Sequence, residues 1–347
     1  MTLAVVAAAA LFAGIVVYAL FGGADFGSGF WDLTAGNARR GARIRVLIDH
    51  SIGPVWEANH VWLIYVIVFL WTGFPRAFSA IMTTLFVPIA LALVGIVLRG
   101  ASFAFRKYAP TLGQARLYGA IFAGSSLITP FFLGAAAGAV ASGRVPAQGN
   151  GPLVSSWTHP TSILGGLIAV LTCSFLAGVF LTADARRGGD GALAELLRRR
   201  SIGLGVVTGA VVLAALIPIH RDAPTLSHEL ERRALPLVVL SALAGVGAIV
   251  MLWRRRYTAA RVGAAGAVVA VVLGWGVAQY PWMLTDQLRV DDAAGAPATL
   301  VGLLVVVALA AVIVLPALAY LYRLTQTDAW SADSPDGPVP RKSSTVA

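Results

Sequence analysis

Nine runs of apolar residues, separated by short polar segments, follow one another along the chain. A helix of about 20 mostly apolar residues is long enough to cross the hydrocarbon core of a membrane. The pattern therefore predicts an all-α integral membrane protein with about nine transmembrane helices. The predicted spans are 3–21, 52–71, 77–98, 117–140, 163–181, 202–219, 235–252, 264–280 and 300–320.

The distribution of charge supports this prediction and adds an orientation. Of the 347 residues, 58% are hydrophobic and only 12% are charged, which is about half the charged share of soluble domains. The segments after the first, third, fifth and seventh spans, together with the C-terminal segment, hold 20 of the 26 Lys and Arg residues. Because cytoplasmic loops carry an excess of cations, we expect the N-terminus outside and the C-terminus in the cytoplasm. The net charge of +10 is thereby explained, and no nucleic-acid partner is expected.

Several classes of chemistry find no support in the residues. The single cysteine, Cys173, lies inside an apolar run and is too solitary for a disulfide or a zinc site. The first run lacks a basic segment before it, so we expect a span there and no signal peptide. The chain has no Walker motif, no zincin motif and no nucleophile elbow. The chain therefore looks like a subunit that takes part in membrane chemistry together with a partner and is not a self-sufficient enzyme.

Two ionisable residues lie at the start of the second predicted span. Glu57 and His60 are three residues apart and therefore share a helix face. An ionisable group close to hydrocarbon costs several kcal/mol and is a functional-site hypothesis by default. The pair is a candidate for proton handling, while a headgroup-zone acid at a helix N-terminus remains the alternative for Glu57. For His60 the alternatives are a proton relay, a hydrogen-bonding partner and a haem ligand.

Asp25 lies in the glycine-rich segment 22–29, just past the first predicted span. The segment lacks the strand and the Lys of a phosphate loop, so a close contact between helices is the favoured interpretation. Since Asp25 and Glu57 are expected at the same end of the membrane, Asp25 could be the outer station of a proton path. Arg99 and Arg106 follow the third span, where snorkelling to lipid headgroups is the expected role.

Small residues spaced four apart indicate close helix crossings elsewhere. The pairs are Gly23 with Gly27, Gly134 with Gly138, and Gly205 with Gly209. They predict compact packing of the helices and carry no functional information.

Several short segments spread over the spans match the spacing of one known membrane family. They are Gly23-Ala24-Asp25-Phe26-Gly27, Trp31-Asp32-Leu33, the segment 52–64 with Trp56, Asn59, Val61 and Trp62, Arg99-Gly100, Phe105-Arg106, Pro160 with Leu164 and Gly166, Gln279-Tyr280-Pro281 and Met283-Leu284. On these residues the chain resembles subunit II of the cytochrome bd-type quinol oxidases, including the cyanide-insensitive branch. The resemblance runs from the first span through the last.

The resemblance implies an architecture and a set of partners. We expect a polytopic region at 1–325, made of two four-helix bundles and one peripheral helix, with the first bundle at about 1–141 and the second bundle plus the last helix at about 160–323. A cytoplasmic tail at 326–347, rich in Ser, Asp and Pro, is expected to be disordered. The implied partner is a similarly folded subunit I in the bacterial plasma membrane, which carries haem b and haem d or a further haem b. No haem or metal ligated by this chain is expected, quinol is the substrate of the complex, and a small single-helix subunit is a further candidate partner.

The resemblance also implies roles for the candidate site residues. In the family, the acid at the position of Glu57 lies on a proton path toward the haems that reduce oxygen to water, and the acid at the position of Asp25 lies near its mouth. The chain departs from the family pattern at three places. Gly22 stands where many members carry a second acid, Glu57 replaces Asp, and His60 replaces Gln. His60 is therefore a candidate for part of the relay.

Two other functions remain as alternatives at this point. A proton-coupled secondary transporter would use Glu57 and His60 as a coupling site, although such sites usually lie at the membrane midplane on broken, repeated helices. A purely structural scaffold would need neither Asp25 nor Glu57 for activity.

Overall fold

The structure is a computed structural model, and it describes residues 2–37, 39–52 and 56–326. The backbone of Glu57 is included in this description but its side chain is not. In the described ranges the chain forms thirteen helices and one short antiparallel hairpin. They are α1 (Leu3–Leu33), α2 (Ala42–Ile52), α3 (Trp56–Gly73), α4 (Pro75–Thr84), α5 (Phe86–Lys107), α6 (Leu112–Ala141), α7 (Pro160–Arg187), α8 (Gly191–Asp222), α9 (Pro224–Arg232), α10 (Leu235–Trp253), α11 (Tyr257–Gln279), β1 (Trp282–Leu284), β2 (Leu288–Arg289), α12 (Val290–Ala293) and α13 (Pro297–Gln326).

The described helices account for the predicted number of spans. Eight of them are long and apolar enough to cross a membrane, namely α1, α5, α6, α7, α8, α10, α11 and α13. The bent pair of α3 and α4 passes the same test when it is counted as one further span. The prediction of an all-α membrane protein with about nine spans is therefore confirmed.

The third predicted span, at 77–98, is wrong in its bounds. The chain forms two helices there, because α4 ends at Thr84 and α5 begins at Phe86. Pro88 lies in the first turn of α5, where its missing N–H is tolerated. In a continuous helix it would leave the Thr84 carbonyl without a partner. At the other end of α4, Pro75 occupies the first turn, and α4 turns by 117° from the helix before it.

Helix α1 extends twelve residues beyond the predicted end of the first span, to Leu33. The glycine-rich segment 22–29 is therefore part of a helix, which packs against α3, α6, α7 and α11. A Cβ on Gly27 would collide with the backbone of Cys173 in α7, and one on Gly29 would collide with Ser126 in α6. The predicted close crossing at this segment is confirmed.

The other two glycine pairs behave differently from each other. Gly134 and Gly138 both lie against α7, and a Cβ on either would meet its backbone. Gly205 contacts the ring of Phe175, while Gly209 has no neighbouring side chain within 4 Å. The prediction of a close crossing holds for the second pair and for one glycine of the third.

Helix α2 occupies a segment that the hydropathy pattern leaves as a loop. Ile44 and Ile48 are one turn apart and fully buried, and they pack in a core with Trp31, Phe103 and Phe122. Burying a side chain of this size stabilises a fold by about 1.5–3 kcal/mol. Helix α2 is therefore anchored on the last turns of α1 by its apolar face.

The chain divides into two units, 1–303 and 304–347. The second unit comprises, within the described residues, the part of α13 from Leu304 to Gln326. The two predicted bundles remain predictions. The predicted tail falls outside the described residues from position 327 onward.

Candidate functional site

Asp25 lies inside α1 and forms an ion pair with Arg99 of α5. The guanidinium Nη2 donates to Oδ1 of Asp25 over 2.5 Å, and each side chain is only 1% exposed. Removing two charges from water is costly, so such a pair persists only with good geometry and further hydrogen bonds. Arg99 has these bonds, because it also donates to the hydroxyl of Ser126 (3.1 Å) and to the backbone carbonyl of Asp25 (3.3 Å).

The expectation that Arg99 snorkels to lipid headgroups is therefore wrong. Its guanidinium lies between the rings of Phe26 and Phe122, at 5.2 and 5.1 Å from their centroids. Cations are attracted to aromatic faces at such distances. A nearby carboxylate, one hydroxyl and two rings thus stabilise the Arg99 cation in the protein interior.

His60 is half-buried next to this pair but is not bonded to it. Its Nδ1 lies 2.8 Å from the carbonyl oxygen of Trp56. A carbonyl oxygen only accepts, so Nδ1 is the donor and Nε2 remains as an acceptor in the neutral ring. The His60 ring lies 6.0 Å from that of Phe26 and 6.0 Å from that of Trp56. Phe26 therefore contacts both His60 and Arg99, and it links the two groups by packing.

The backbone of Glu57 lies in the first turn of α3, directly after Trp56. The ring of Trp56 lies 5.9 Å from that of Phe103 and close to Gly100, both on α5. The start of α3 is therefore placed next to the part of α5 that carries Arg99. The structure brings the segments of all three predicted site residues together, while the side chain of Glu57 lies outside the described part.

A second group of charges lies two turns further along α1. Asp32 accepts from Arg106 over 2.6 Å and from Arg45 over 2.7 Å, and Arg106 also pairs with Asp49. Asp32 is 3% exposed, Arg106 11% and Arg45 29%. This group, which we call the outer network, fastens α2 to α1 and α5. The expectation that Arg106 snorkels to headgroups is wrong as well.

An apolar cavity of about 370 Å³ lies elsewhere in the molecule. It is lined by the first turns of α1, by the last turns of α11 and by the hairpin that follows. None of Asp25, Arg99 and His60 lines it. The cavity is therefore separate from the candidate site.

The similarity to known proteins extends over almost the full described chain. A family model described as cytochrome bd terminal oxidase subunit II matches residues 3–325. The chain belongs to this family. As a member of the cytochrome bd subunit II family, it is part of a group whose curated members are subunits of quinol oxidases.

Individual relatives agree with the family assignment. The chain is 30% identical over 286 residues to cytochrome bd ubiquinol oxidase subunit 2 of Bacillus subtilis, covering 79% of this chain and 81% of that protein. It is 29% identical over 164 residues to cytochrome bd-I ubiquinol oxidase subunit 2 of Escherichia coli, covering 45% of this chain and 42% of that protein. The fold matches the structure of the bd oxidase from Geobacillus thermodenitrificans with a TM-score of 0.79 at 24% identity, over 93% of this chain and 98% of that one.

Membership of the cytochrome bd family implies haems in the complex and a subunit I partner. Within the described ranges, no group of three or more His, Cys, Asp or Glu side chains could hold a metal ion. His60 is packed between two rings, and its Nδ1 is bonded to a carbonyl oxygen. A metal-ligating His commonly donates its other ring N–H to a carbonyl in the same way, so the absence of a haem ligated by this chain stays a prediction.

Sequence reasoning missed two residues next to Asp25. Arg99 was expected at a headgroup, since hydropathy alone does not show which helix receives its side chain. No sequence motif marks Tyr18, yet its hydroxyl is buried and has no hydrogen-bonding partner among the described residues. The sequence does indicate that Tyr18 could lie near Asp25, because residues seven apart share a face of a helix.

Proposed function

We propose that this chain is the haem-free subunit II of a quinol:oxygen oxidoreductase in a bacterial plasma membrane. It supports a haem-bearing subunit I and helps to deliver cytoplasmic protons to the site where oxygen is reduced to water. The partner's haem b and haem d, or a further haem b, supply the redox chemistry when bound there. The contribution of this chain is to hold and move protons at its own carboxylates and to complete the assembly.

The buried Asp25–Arg99 pair is the observation that carries the proton-delivery part of this proposal. Apolar packing alone would need no carboxylate at this depth, and replacing a buried ion pair by apolar residues is often neutral or stabilising. Both side chains of the pair are only 1% exposed, so the pair carries a desolvation cost that apolar residues would avoid, and we take this as support for a functional role. A neighbouring cation favours the ionised form of a carboxylate, which is the form that accepts a proton, so this pair is a candidate proton acceptor in the interior.

The residues of the proposed path lie on neighbouring parts of α1, α3 and α5. Asp25 of α1 is paired with Arg99 of α5, and the ring of the next residue, Phe26, lies 6.0 Å from that of His60 near the start of α3. With the N-terminus outside, the end of α1 at Leu33 faces the cytoplasm, and protons would pass from that side through Asp25 toward Glu57.

Assembly with subunit I is tested by isolating the tagged chain from detergent-solubilised native membranes. We expect a second large hydrophobic subunit and haem bands in a reduced-minus-oxidised absorption spectrum of the eluate. The band at the red end identifies haem d. A solitary, colourless protein would contradict the proposal, and proton-coupled uptake by vesicles containing only this chain would favour the transporter alternative.

Proton delivery is tested by substituting Glu57→Gln in the assembled complex. Positioned proton-transfer groups contribute about 10²–10⁴ to a rate, so we expect oxygen consumption per haem to fall by about tenfold or more. Glu231→Gln is the matched control, because the side chain of Glu231 is 71% exposed on α9, far along the chain from the site. Unchanged turnover in Glu57→Gln would remove this residue from the path.

A further inference from the structure

Two buried polar atoms near the centre of α1 have no hydrogen-bonding partner. One is Oδ2 of Asp25, whose other oxygen is bonded to Arg99, and the second is the hydroxyl of Tyr18. Among the described residues, neither atom is bonded to a protein group. A buried polar atom left without a partner costs about 1–3 kcal/mol, more when it is charged. Two such atoms on one helix therefore need an explanation.

The positions of these two residues bring them to one face of α1. Tyr18 and Asp25 are seven residues apart, which is close to two full turns. The Tyr18 ring lies over Gly22, the residue midway between them, and meets the ring of Phe26 edge-on at 6.5 Å. The Tyr18 ring and the buried Asp25 carboxylate therefore lie on one face of α1, with the ring lying over Gly22 in the direction of Asp25.

The chemistry of the two atoms is complementary to water. A phenol hydroxyl can donate and accept, while a carboxylate oxygen accepts. Buried waters typically satisfy such groups, with two to four hydrogen bonds each. We propose that a buried water is bound between the Tyr18 hydroxyl and Oδ2 of Asp25, and that Tyr18 is a positioning residue that holds it there. Tyr18 donates to the water, and the water donates to the carboxylate.

The absence of a side chain on Gly22 leaves the place for this arrangement. A Cβ at Gly22 would approach the Tyr18 ring within 2.8 Å, so a larger residue there would displace the ring. Gly22 therefore allows the Tyr18 ring to lie close against α1, on the face that carries Asp25.

The role of this water in proton transfer rests on the proposed function. When Asp25 is protonated, Oδ2 releases its proton to the water while the water passes one of its own protons to the Glu57 carboxylate at the start of α3. Tyr18 keeps its own proton throughout and only orients the water. The water regains its neutral form in each transfer, so no further reactant is required.

The kinetic test compares Tyr18→Phe with Tyr65→Phe in the assembled oxidase. Both changes keep the ring and remove one hydroxyl, but the Tyr65 hydroxyl donates to the carbonyl of Ala10 over 2.9 Å and faces no acid. We expect Tyr18→Phe to lower oxygen consumption per haem by roughly threefold or more and to change its solvent isotope effect. Tyr65→Phe should leave both unchanged. Equal behaviour of the two variants, with Glu57→Gln slowed, would overturn the role of Tyr18 while the proposed function stands.

The binding site is tested independently by an electron-microscopy map of the complex that resolves ordered waters. We expect density within hydrogen-bonding distance of both Tyr18 and Asp25 in the wild type, and its loss in Tyr18→Phe. A map in which Oδ2 of Asp25 bonds directly to a protein group, with no such density, would overturn the water site. If Glu57→Gln retains full turnover, the proposed function fails. The density between Tyr18 and Asp25 then shows by itself whether the water site exists.

Discussion

The Asp25–Arg99 pair and the outer network around Asp32 use the same two kinds of side chain in very different surroundings. They lie about 10 Å apart along α1, at 1.5 Å per residue. Both members of the inner pair are 1% exposed, whereas Asp49 and Arg45 of the outer network are 38% and 29% exposed. Bulk solvent reaches part of the outer network and does not reach the inner pair.

This difference separates two uses of charge. The outer network has several partners for one carboxylate, and it fastens α2, whose apolar face is buried independently by Ile44 and Ile48. Its charges are explained by packing of the helices. The inner pair has a single cation for a single carboxylate, leaves Oδ2 unpartnered, and lies beside Tyr18 and Phe26. The proposed proton path is our explanation for its charges.

The largest effect is expected from Arg99→Met, which removes the cation and keeps a similar length of side chain. Asp25 is then left without its cation in the interior, and breaking a buried pair in this way costs about 3–5 kcal/mol. We expect a sharp fall in the yield of the complex and in its unfolding temperature. Arg199→Met is the control, since Arg199 is 74% exposed and pairs with Glu195 at the surface.

The double variant Asp25→Asn/Arg99→Met sharpens this prediction. It removes both charges together, and replacing a buried pair as a unit is often close to neutral for stability. We therefore expect much of the lost yield to return, without the activity. Equal instability of the single and double variants would contradict the view that the unpaired charge causes the loss.

A smaller effect is expected from Arg106→Leu in the outer network. Asp32 keeps its bond to Arg45, and Asp49 is partly exposed to water. Arg106 forms two such bonds, each contributing about 1.5–3 kcal/mol, but the remaining bond of Asp32 and the exposure of Asp49 to water offset part of the loss. Thermal unfolding should show a modest shift, with oxygen consumption per haem unchanged. A loss as large as that in Arg99→Met would erase the distinction between the two regions.

The smallest effect is expected from Arg43→Gln at the surface. Arg43 pairs with Asp190, which also caps α8 by accepting from the N–H of Leu193 over 3.0 Å. The hydrogen bond from Arg43, followed by that from Leu193, holds the pKa of Asp190 below its ordinary value of 3.8. Exposed pairs contribute about 0–1 kcal/mol, and salt screens them.

The pH dependence of this pair follows from the direction of the shift. Because the folded state lowers the pKa of Asp190, the pair's stabilisation is present at neutral pH and is lost as the pH falls through the folded pKa, below about 4. The unfolding temperatures of Arg43→Gln and the wild type should differ slightly at neutral pH and converge in acid or in high salt. A difference that persists in acid would contradict the role of this ion pair.

The helices and the site could be predicted to different extents from the sequence. The thickness of a membrane sets the length of a spanning run, so the number of spans can be counted from the hydropathy pattern. The break at Leu85 depends on where Pro88 falls in a turn, and the extension of α1 to Leu33 depends on glycines that pack against α6 and α7. Both result from contacts between helices, which hydropathy does not describe.

The same reason explains what was missed at the site. Asp25 could be singled out by its residue type, but its partner Arg99 is 74 positions away. A cation at the end of an apolar run has the same pattern whether it reaches a headgroup or turns inward. The inward orientation of Arg99 depends on its neighbours, because α1 supplies the carboxylate of Asp25 and α6 supplies the hydroxyl of Ser126.

The most direct test of the central claim compares oxygen consumption per haem in complexes carrying Asp25→Asn or Asp32→Asn. Each change removes one charge and keeps the shape of the side chain, and normalising to haem separates turnover from assembly. The account predicts a fall of about tenfold or more for Asp25→Asn and little change for Asp32→Asn. Wild-type turnover per haem in Asp25→Asn would contradict it, because the inner pair would then be structural as well.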